Sequence, residues 1–156
     1  LLIGEKMAEK AKIAIGCAYM DDTDPDWNMR ADISGRDLVT GLPKTIEIES
    51  KDICKALEEP VAQIIDGIKA TLENAPPELA ADIINKGMVL AGGGAFLRGL
   101  DALIEKETGI KTIIAENAAE AVAMGTGLSL QNMETIQSHV RAKNPYQNVN
   151  QNNANY

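Results

Sequence analysis

Aromatic side chains are scarce in this sequence: one Phe, one Trp and three Tyr among 156 residues. A base-stacking surface needs more of them. Basic residues are also in short supply, 15 Lys+Arg against 23 Asp+Glu, which leaves a net charge of -8 and a pI near 4.7. Because neutralising phosphates takes an excess of Lys and Arg, this balance excludes nucleic acid as a partner. The single histidine, His139, has no second His or Cys partner and supports neither a catalytic triad nor a metal site. Cys17 and Cys54 are the two cysteines, with no Cys-x-x-Cys spacing. We expect buried free thiols in a reducing compartment rather than a disulfide framework or a zinc site. No apolar run approaches the roughly 18 residues of a membrane span. The chain opens Leu1-Leu2-Ile3-Gly4, without Met, a basic n-region or a small-residue cleavage site. The expectation is a chain without a secretion signal that starts in the middle of a helix and is a piece of something longer.

A hydrophobic fraction of 45% is enough for one domain or two small lobes with a real core. Ile3, Met7, Ala11, Ala14 and Ala18 recur every three or four residues and predict a helix within residues 1–19. Asp21, Asp22, Asp24, Pro25, Asp26 and Asn28 then predict an acidic loop. Met29–Gly35 and Thr45–Glu49 read as short strands around a turn at Gly41-Leu42-Pro43, with Ile46 and Ile48 on a buried face. Residues 51–74 carry the clearest helical stripe, Ile53, Leu57, Val61, Ile64, Ile65, Ile68 and Leu72. Ser50 is its expected N-cap, and Pro60 predicts a kink or two abutting helices. Pro77 suits the first position of a short helix over Glu78–Asn85. Met88–Ala91 reads as a strand buried on both faces. A helix through Phe96, Leu97, Leu100, Leu103 and Ile104 follows, stopped by Gly109, and then a strand over Ile110–Ala115. Strand, glycine turn, helix and strand have the size of a βαβ unit. The last helix is expected over Ala118–Ser138, with Gly125 and Gly127 marking close backbone packing. The tail from Lys143, rich in Asn, is expected to be disordered.

Val89-Leu90-Ala91-Gly92-Gly93-Gly94-Ala95-Phe96-Leu97 is the most specific local signal. Three glycines between strand and helix let backbone approach something closely, either a ligand or packed protein. Leu97 stands where G-x-G-x-x-G needs its third glycine, so this is not the dinucleotide fingerprint. Glu9 and Lys12 lie three apart on one helical face, where a carboxylate can accept from ribose hydroxyls and a lysine stem can lie on a base. Taken alone, the pair reads as a solvent-exposed ion pair. Asp22-x-Asp24-x-Asp26 begins like an EF-hand loop. However, Trp27 occupies the position of the obligatory glycine and Ile33 that of the bidentate Glu, so a solvated acidic loop is the reading. Neither cysteine has a base that would make it a nucleophile.

The string Gly87-Met-Val-Leu-Ala-Gly-Gly-Gly-Ala-Phe-Leu-Arg-Gly-Leu-Asp101 resembles the adenosine motif of the MreB family of bacterial actins. Ile3–Lys12, Gly35–Lys44 and Pro76–Ile83 match the same family in the same order, as does Ala121–Gly127. The resemblance covers about residues 1–135. It implies an α/β chain with the actin-like ATPase (ribonuclease H-like) fold, forming most of domain II. An α+β outer lobe would occupy 1–86 and sit on a βαβ inner lobe at 87–135, followed by a polar tail at 136–156. The resemblance further implies that Glu9, Lys10, Ala11 and Lys12 form one wall of an adenosine site, with Gly93, Gly94, Ala95 and Phe96 on the other. ATP with Mg²⁺ would be the cofactor of a full-length parent. The phosphate loops and the residue that positions the attacking water would precede Leu1, leaving no catalytic or metal-binding residue in this piece. The parent would be a slow ATPase, and this chain alone would be inactive. Its main partner would be itself, in filaments at the inner, cytoplasmic face of the membrane that help set cell shape. Membrane and cell-wall-synthesis contacts would come through other parts.

Some positions depart from the family pattern: Ala91 in place of Thr, Phe96 in place of an aliphatic residue, and Asn117–Glu120 in place of an Asp-Pro-Leu-Thr motif. The acidic loop and the Asn-rich tail are further additions, and together these suggest a divergent paralogue. The alternatives within the superfamily are a chaperone-like or sugar-kinase-like enzyme, or a scaffold that has lost nucleotide.

Overall fold

A computed structural model of the chain describes residues 1–20 and 27–133. The acidic segment 21–26, His139 and the Asn-rich tail lie outside the described residues. The element order is α1 (Glu5–Ile15), β1 (Arg30–Arg36), β2 (Pro43–Glu49), α2 (Ser50–Glu73), α3 (Pro77–Lys86), β3 (Met88–Leu90), a 3₁₀ turn (Gly93–Phe96), α4 (Leu100–Thr108), β4 (Thr112–Ile114) and α5 (Ala121–Gln131).

β1 and β2 form an antiparallel hairpin with Ile33 opposite Ile46 and Ala31 opposite Ile48. Gly41, at φ 74°, supplies the left-handed residue of the turn. Leu2 extends the hairpin edge: its N–H donates to the Arg36 carbonyl and its carbonyl accepts from Arg36 N–H, at 2.8 and 2.9 Å. Gly35 permits that approach, because a Cβ there would lie 2.3 Å from the Leu2 carbonyl oxygen. β3 and β4 pair in parallel, Val89 beside Ile113, with the glycine turn and α4 as their connection. The expected βαβ unit is therefore present.

α2 runs unbroken from Ser50 through Pro60 to Glu73, so the two abutting helices do not form. Its stripe turns Val61 and Ile65 inward against Leu100 and Ile104 of α4, with Leu57, Ile68, Met88, Leu90, Leu97 and Leu103 packed around them. Each fully buried aliphatic side chain in such a cluster contributes about 1.5–3 kcal/mol. The Lys69–Glu107 ion pair, 2.5 Å, also joins α2 to α4. This core is continuous across residues 86/87, so the lobe division expected there runs through shared packing.

Four local expectations need correction. Glu49, not Ser50, caps α2: its carboxylate accepts from the third helical residue's N–H while Asp52 accepts from Glu49 N–H. This is a capping box built with a carboxylate where a hydroxyl is usual. Ser50 is the first helical residue and is wholly buried. The helix expected from Phe96 starts only at Leu100, because Gly99 takes a left-handed conformation (φ 75°) at its N-cap. β3 is not buried on both faces, since Val89 is 61% exposed in a sheet of two strands. Gly125 and Gly127 meet no atom within 4 Å of where a Cβ would stand, and α5 buries none of its residues.

Candidate functional site

The glycine turn and α1 hold the eight site residues predicted from the sequence. β3 delivers the chain to Gly92, whose φ of 86° only glycine adopts without strain. Its N–H donates to the Ala118 carbonyl at 2.5 Å, and Ala115 N–H to the Leu90 carbonyl at 2.9 Å. Ala118 is completely buried, so the divergent Asn117–Glu120 segment anchors the base of the turn through its backbone. Above that anchor, a Cβ placed at Gly92, Gly93 or Gly94 would meet no heavy atom within 4 Å apart from its chain neighbours. Packing of the turn against protein was one of the two readings of its glycines, and among the described residues no protein contact requires them. Ala95 turns inward and is buried, while Phe96 presents its ring at 59% exposure.

On α1, Glu9, Lys10 and Lys12 are exposed and Ala11 is buried. Three of the four residues expected on this wall therefore offer side chains to solvent, and Ala11 seats the helix on the core. Gly4 N-caps the helix without a side-chain bond, so its ordering rests on that seating. Buried Ile15 adds to it.

The two walls are not separate pieces. The chain leaving α1 pairs with the chain leaving the glycine turn: Cys17 forms a parallel bridge with Arg98, and Ala18 N–H donates to the Arg98 carbonyl at 2.8 Å. Lys106 of α4 lies 4.5 Å from the centre of the Tyr19 ring and donates to its hydroxyl at 3.2 Å, a cation–π contact. Arg98 extends its guanidinium the other way. Its Nη2 donates to the Trp27 carbonyl at 2.7 Å and to Ser50 Oγ at 3.0 Å. Ser50 Oγ also accepts from Met29 N–H at 3.0 Å and donates to the Met29 carbonyl at 3.4 Å. Four chain segments thus meet at Ser50 and Arg98. The sequence marked Ser50 only as a helix cap and Arg98 only as part of the glycine string, because Ser50 and Trp27 lie 48 and 71 positions from Arg98 and no local pattern reports such distances.

Both cysteines are free and buried, as expected. Cys17 Sγ lies 3.8 Å from the Ser50 carbonyl oxygen as a donor. Burial, and then the neighbouring Cys17 thiol, push the Cys54 thiol up to about 11. A thiol held neutral in this way is a packing group, not a nucleophile. Elsewhere, carboxylates are held below their ordinary range: Asp37 chiefly by the Val39 N–H, Glu49 by Lys51, and Glu107 by Lys69. None of these belongs to the site. Among the described residues, no group of three or more His, Cys, Asp or Glu is arranged to hold a metal ion. These side chains therefore do not fit a Mg²⁺ site by themselves. Toward solvent, α1 offers a carboxylate and amines, and the turn offers bare backbone with an exposed Phe96 beside it.

Known proteins are similar to this one over most of the chain. The profile of the MreB/Mbl protein family matches residues 1–138. The cell shape-determining protein Mbl of Bacillus subtilis is 45% identical over 136 residues, covering 87% of this chain and 40% of the relative. The cell shape-determining protein MreB of Escherichia coli is 45% identical over 130 residues, covering 83% of this chain and 36% of the relative. MreB5 of Spiroplasma citri bound to ADP superposes with a TM-score of 0.77 at 34% identity, covering 87% of this chain and 40% of that one. The same protein bound to AMPPNP gives 0.76, also at 34% identity, with coverages of 88% and 40%. The chain thus spans about 40% of the length of the relatives it matches.

Proposed function

The chain belongs to the MreB/Mbl family, whose actin-like fold it shares, and we propose that it supplies the adenosine side of the nucleotide cleft in a cell-shape-determining, ATP-binding protein. One observation carries this reading. The glycine turn faces open space while its exit strand is hydrogen-bonded to the exit of the helix bearing Glu9, Lys10 and Lys12. Glu9 would accept from the ribose hydroxyls, and Lys10 and Lys12 would lay their stems or charges along the nucleotide. Gly93 and Gly94 would admit it against bare backbone, and the Phe96 ring would stack on the base. Ala11 and Ala95 would back the two walls. The nucleotide-bound state of the similar MreB5 structures supports the choice of ligand.

ATP supplies a γ-phosphoryl group for transfer to water, and Mg²⁺ would be held by segments that this chain does not contain. The residues here bind and orient the nucleoside and carry out no proton transfer or bond cleavage, so the isolated chain would not turn over ATP. The full protein would assemble with copies of itself into filaments at the cytoplasmic face of the membrane, with this half providing longitudinal contacts. The exposed Val89, Ile113, Val122, Leu128 and Leu130 would be covered by the remainder of a full-length protein. α2 groups with β3 and α4 through their common core, and α1 with the hairpin would form the outer part.

The test is a titration of ADP into the 156-residue chain and into a Glu9→Ala, Lys12→Ala double variant. Both side chains are exposed, so the fold should be unchanged. Removing a carboxylate acceptor and an ammonium donor should weaken binding about tenfold or more. Equal affinity in the two proteins would contradict the assignment of this wall.

A further inference from the structure

Arg98 lies outside both predicted walls, yet its backbone and side chain bond to the chain leaving α1, to Trp27 and to Ser50. Its carbonyl accepts from Ala18, two residues after the end of α1's exit turn at Gly16. Its guanidinium spans to Trp27, just ahead of β1, and to Ser50, the first residue of α2. One residue further on, Gly99 comes so close to Tyr19 that an added Cβ would lie 3.1 Å from the Tyr19 carbonyl oxygen. The glycine turn is fixed unevenly along its length. Its base is tied at Gly92 to Ala118, Ala95 is buried and Leu97 packs on the core, while a Cβ at Gly93 or Gly94 would meet no further atom within 4 Å. At its exit Leu97 and Leu100 supply apolar packing, and Arg98 supplies the long-range side-chain hydrogen bonds.

We propose that Arg98 is a positioning residue for the nucleotide site. Its side-chain bonds to Trp27 and Ser50 hold the exit of the glycine turn against the start of α2 and the approach to β1, beside the Ala18–Arg98 backbone bond that joins it to the exit of α1, and so set the distance and angle between the two adenosine walls. The inference rests on the nucleotide reading above. Arg98 does not touch the ligand in this account; it acts through the four residues preceding it. Arginine suits the role because a guanidinium stays charged and can hold two acceptors from one nitrogen in a fixed plane. The pair of acceptors is also unusual: a backbone carbonyl and a hydroxyl that is itself wholly buried and already engaged by Met29. Withdrawing the guanidinium leaves Ser50 bonded to Met29, so the hairpin–α2 junction survives. The backbone bond from Ala18 to the Arg98 carbonyl also remains, so what is lost is the tie from the turn's exit to Trp27 and Ser50.

The experiment compares wild type with Arg98→Met, Arg98→Lys and a packing control, Ile104→Val, in the 156-residue chain, with ADP as the probe. Two readouts are taken: ADP affinity, and the backbone amide shifts of Gly93–Phe96 without nucleotide. Arg98→Met should weaken ADP binding about tenfold, as expected for losing charge-assisted bonds that hold a site, and should move the nucleotide-free shifts of Gly93–Phe96. Arg98→Lys, which restores a charged donor, should recover part of both effects. Ile104→Val, destabilised through the core, should change neither beyond about twofold. If Arg98→Met binds ADP as wild type does, or loses no more than Ile104→Val at matched loss of stability, the proposal is overturned. If wild type binds no ADP, the nucleotide reading fails and the proposal with it. Shifted Gly93–Phe96 amides in Arg98→Met would then leave Arg98 as a structural tether only.

Discussion

Replacing glycine by alanine at two positions separates what the fold needs from what the proposed site needs. Gly93 and Gly94 have open space around a would-be Cβ, and neither takes a positive φ. Alanine there costs no contact, and by restricting the unfolded chain it should stabilise by about 0.4–1 kcal/mol. In a chain of this size that raises the melting temperature by about 1–4 °C. Gly35 is the opposite case. Its Cβ would stand 2.3 Å from the Leu2 carbonyl oxygen and 2.9 Å from Ile3 Cγ2. Relief means breaking the two hydrogen bonds between Leu2 and Arg36, about 1 kcal/mol each, or a fall of about 4–8 °C. Thermal unfolding followed by circular dichroism measures both shifts, and ADP titration gives the functional half. Gly93→Ala and Gly94→Ala should bind ADP more weakly while melting no lower than wild type. Gly35→Ala should melt lower and bind normally at temperatures where it is folded. A fall in melting temperature for Gly93→Ala comparable to that of Gly35→Ala would refute the open turn. Unchanged ADP affinity in both turn variants would refute its contact with ligand.

Acid should destabilise the chain in a defined window. Asp37, Glu49 and Glu107 all have folded pKa values below their ordinary 3.8, 4.5 and 4.5. Their stabilisation is therefore present above about pH 4.5 and is lost as pH falls through the lower folded values. Urea midpoints measured from pH 6 down to pH 3 should decline, and a flat profile would contradict those pairings. The thiols predict the other limb. Cys54, raised from 9.0 to about 11, favours the fold while neutral. That contribution is present below pH 9 and is lost as pH rises toward 11. Neither thiol should react with a thiol reagent at pH 8 in the native chain, and both should react in urea; rapid native labelling would contradict their burial.

What was legible in the sequence followed local periodicity. The stripe of α2 announced Val61 and Ile65 as core, and the alternation of β2 placed Ile46 and Ile48 on its sheltered face. The glycine run marked the turn between β3 and α4, with Gly109 as the helix stop. The misreadings came where a tertiary partner overrode the local signal. Ser50 looks like a cap until Glu49 and Asp52 are seen to cap each other, which frees Ser50 for Met29 and Arg98. Phe96 and Leu97 continue a helical stripe, but Gly99 packs against Tyr19 in a conformation that delays the helix. Val89 and the apolar residues of α5 belong to runs whose composition promises burial, yet no described residue covers them. For the site, the residue types were visible and the junction that unites them was not, because it joins Cys17–Ala18, Trp27, Ser50 and Arg98 from four separate stretches.

The most direct test of the central claim is to map where ADP touches this chain. In a ¹⁵N-labelled sample, saturating ADP should move the backbone amides of Gly93, Gly94 and Phe96 together with those of Glu9, Lys10 and Lys12, leaving α3 and the hairpin turn at Gly41 still. Saturable shifts confined to other surfaces, or none at any concentration while the spectrum remains that of a folded chain, would contradict an adenosine site between α1 and the glycine turn.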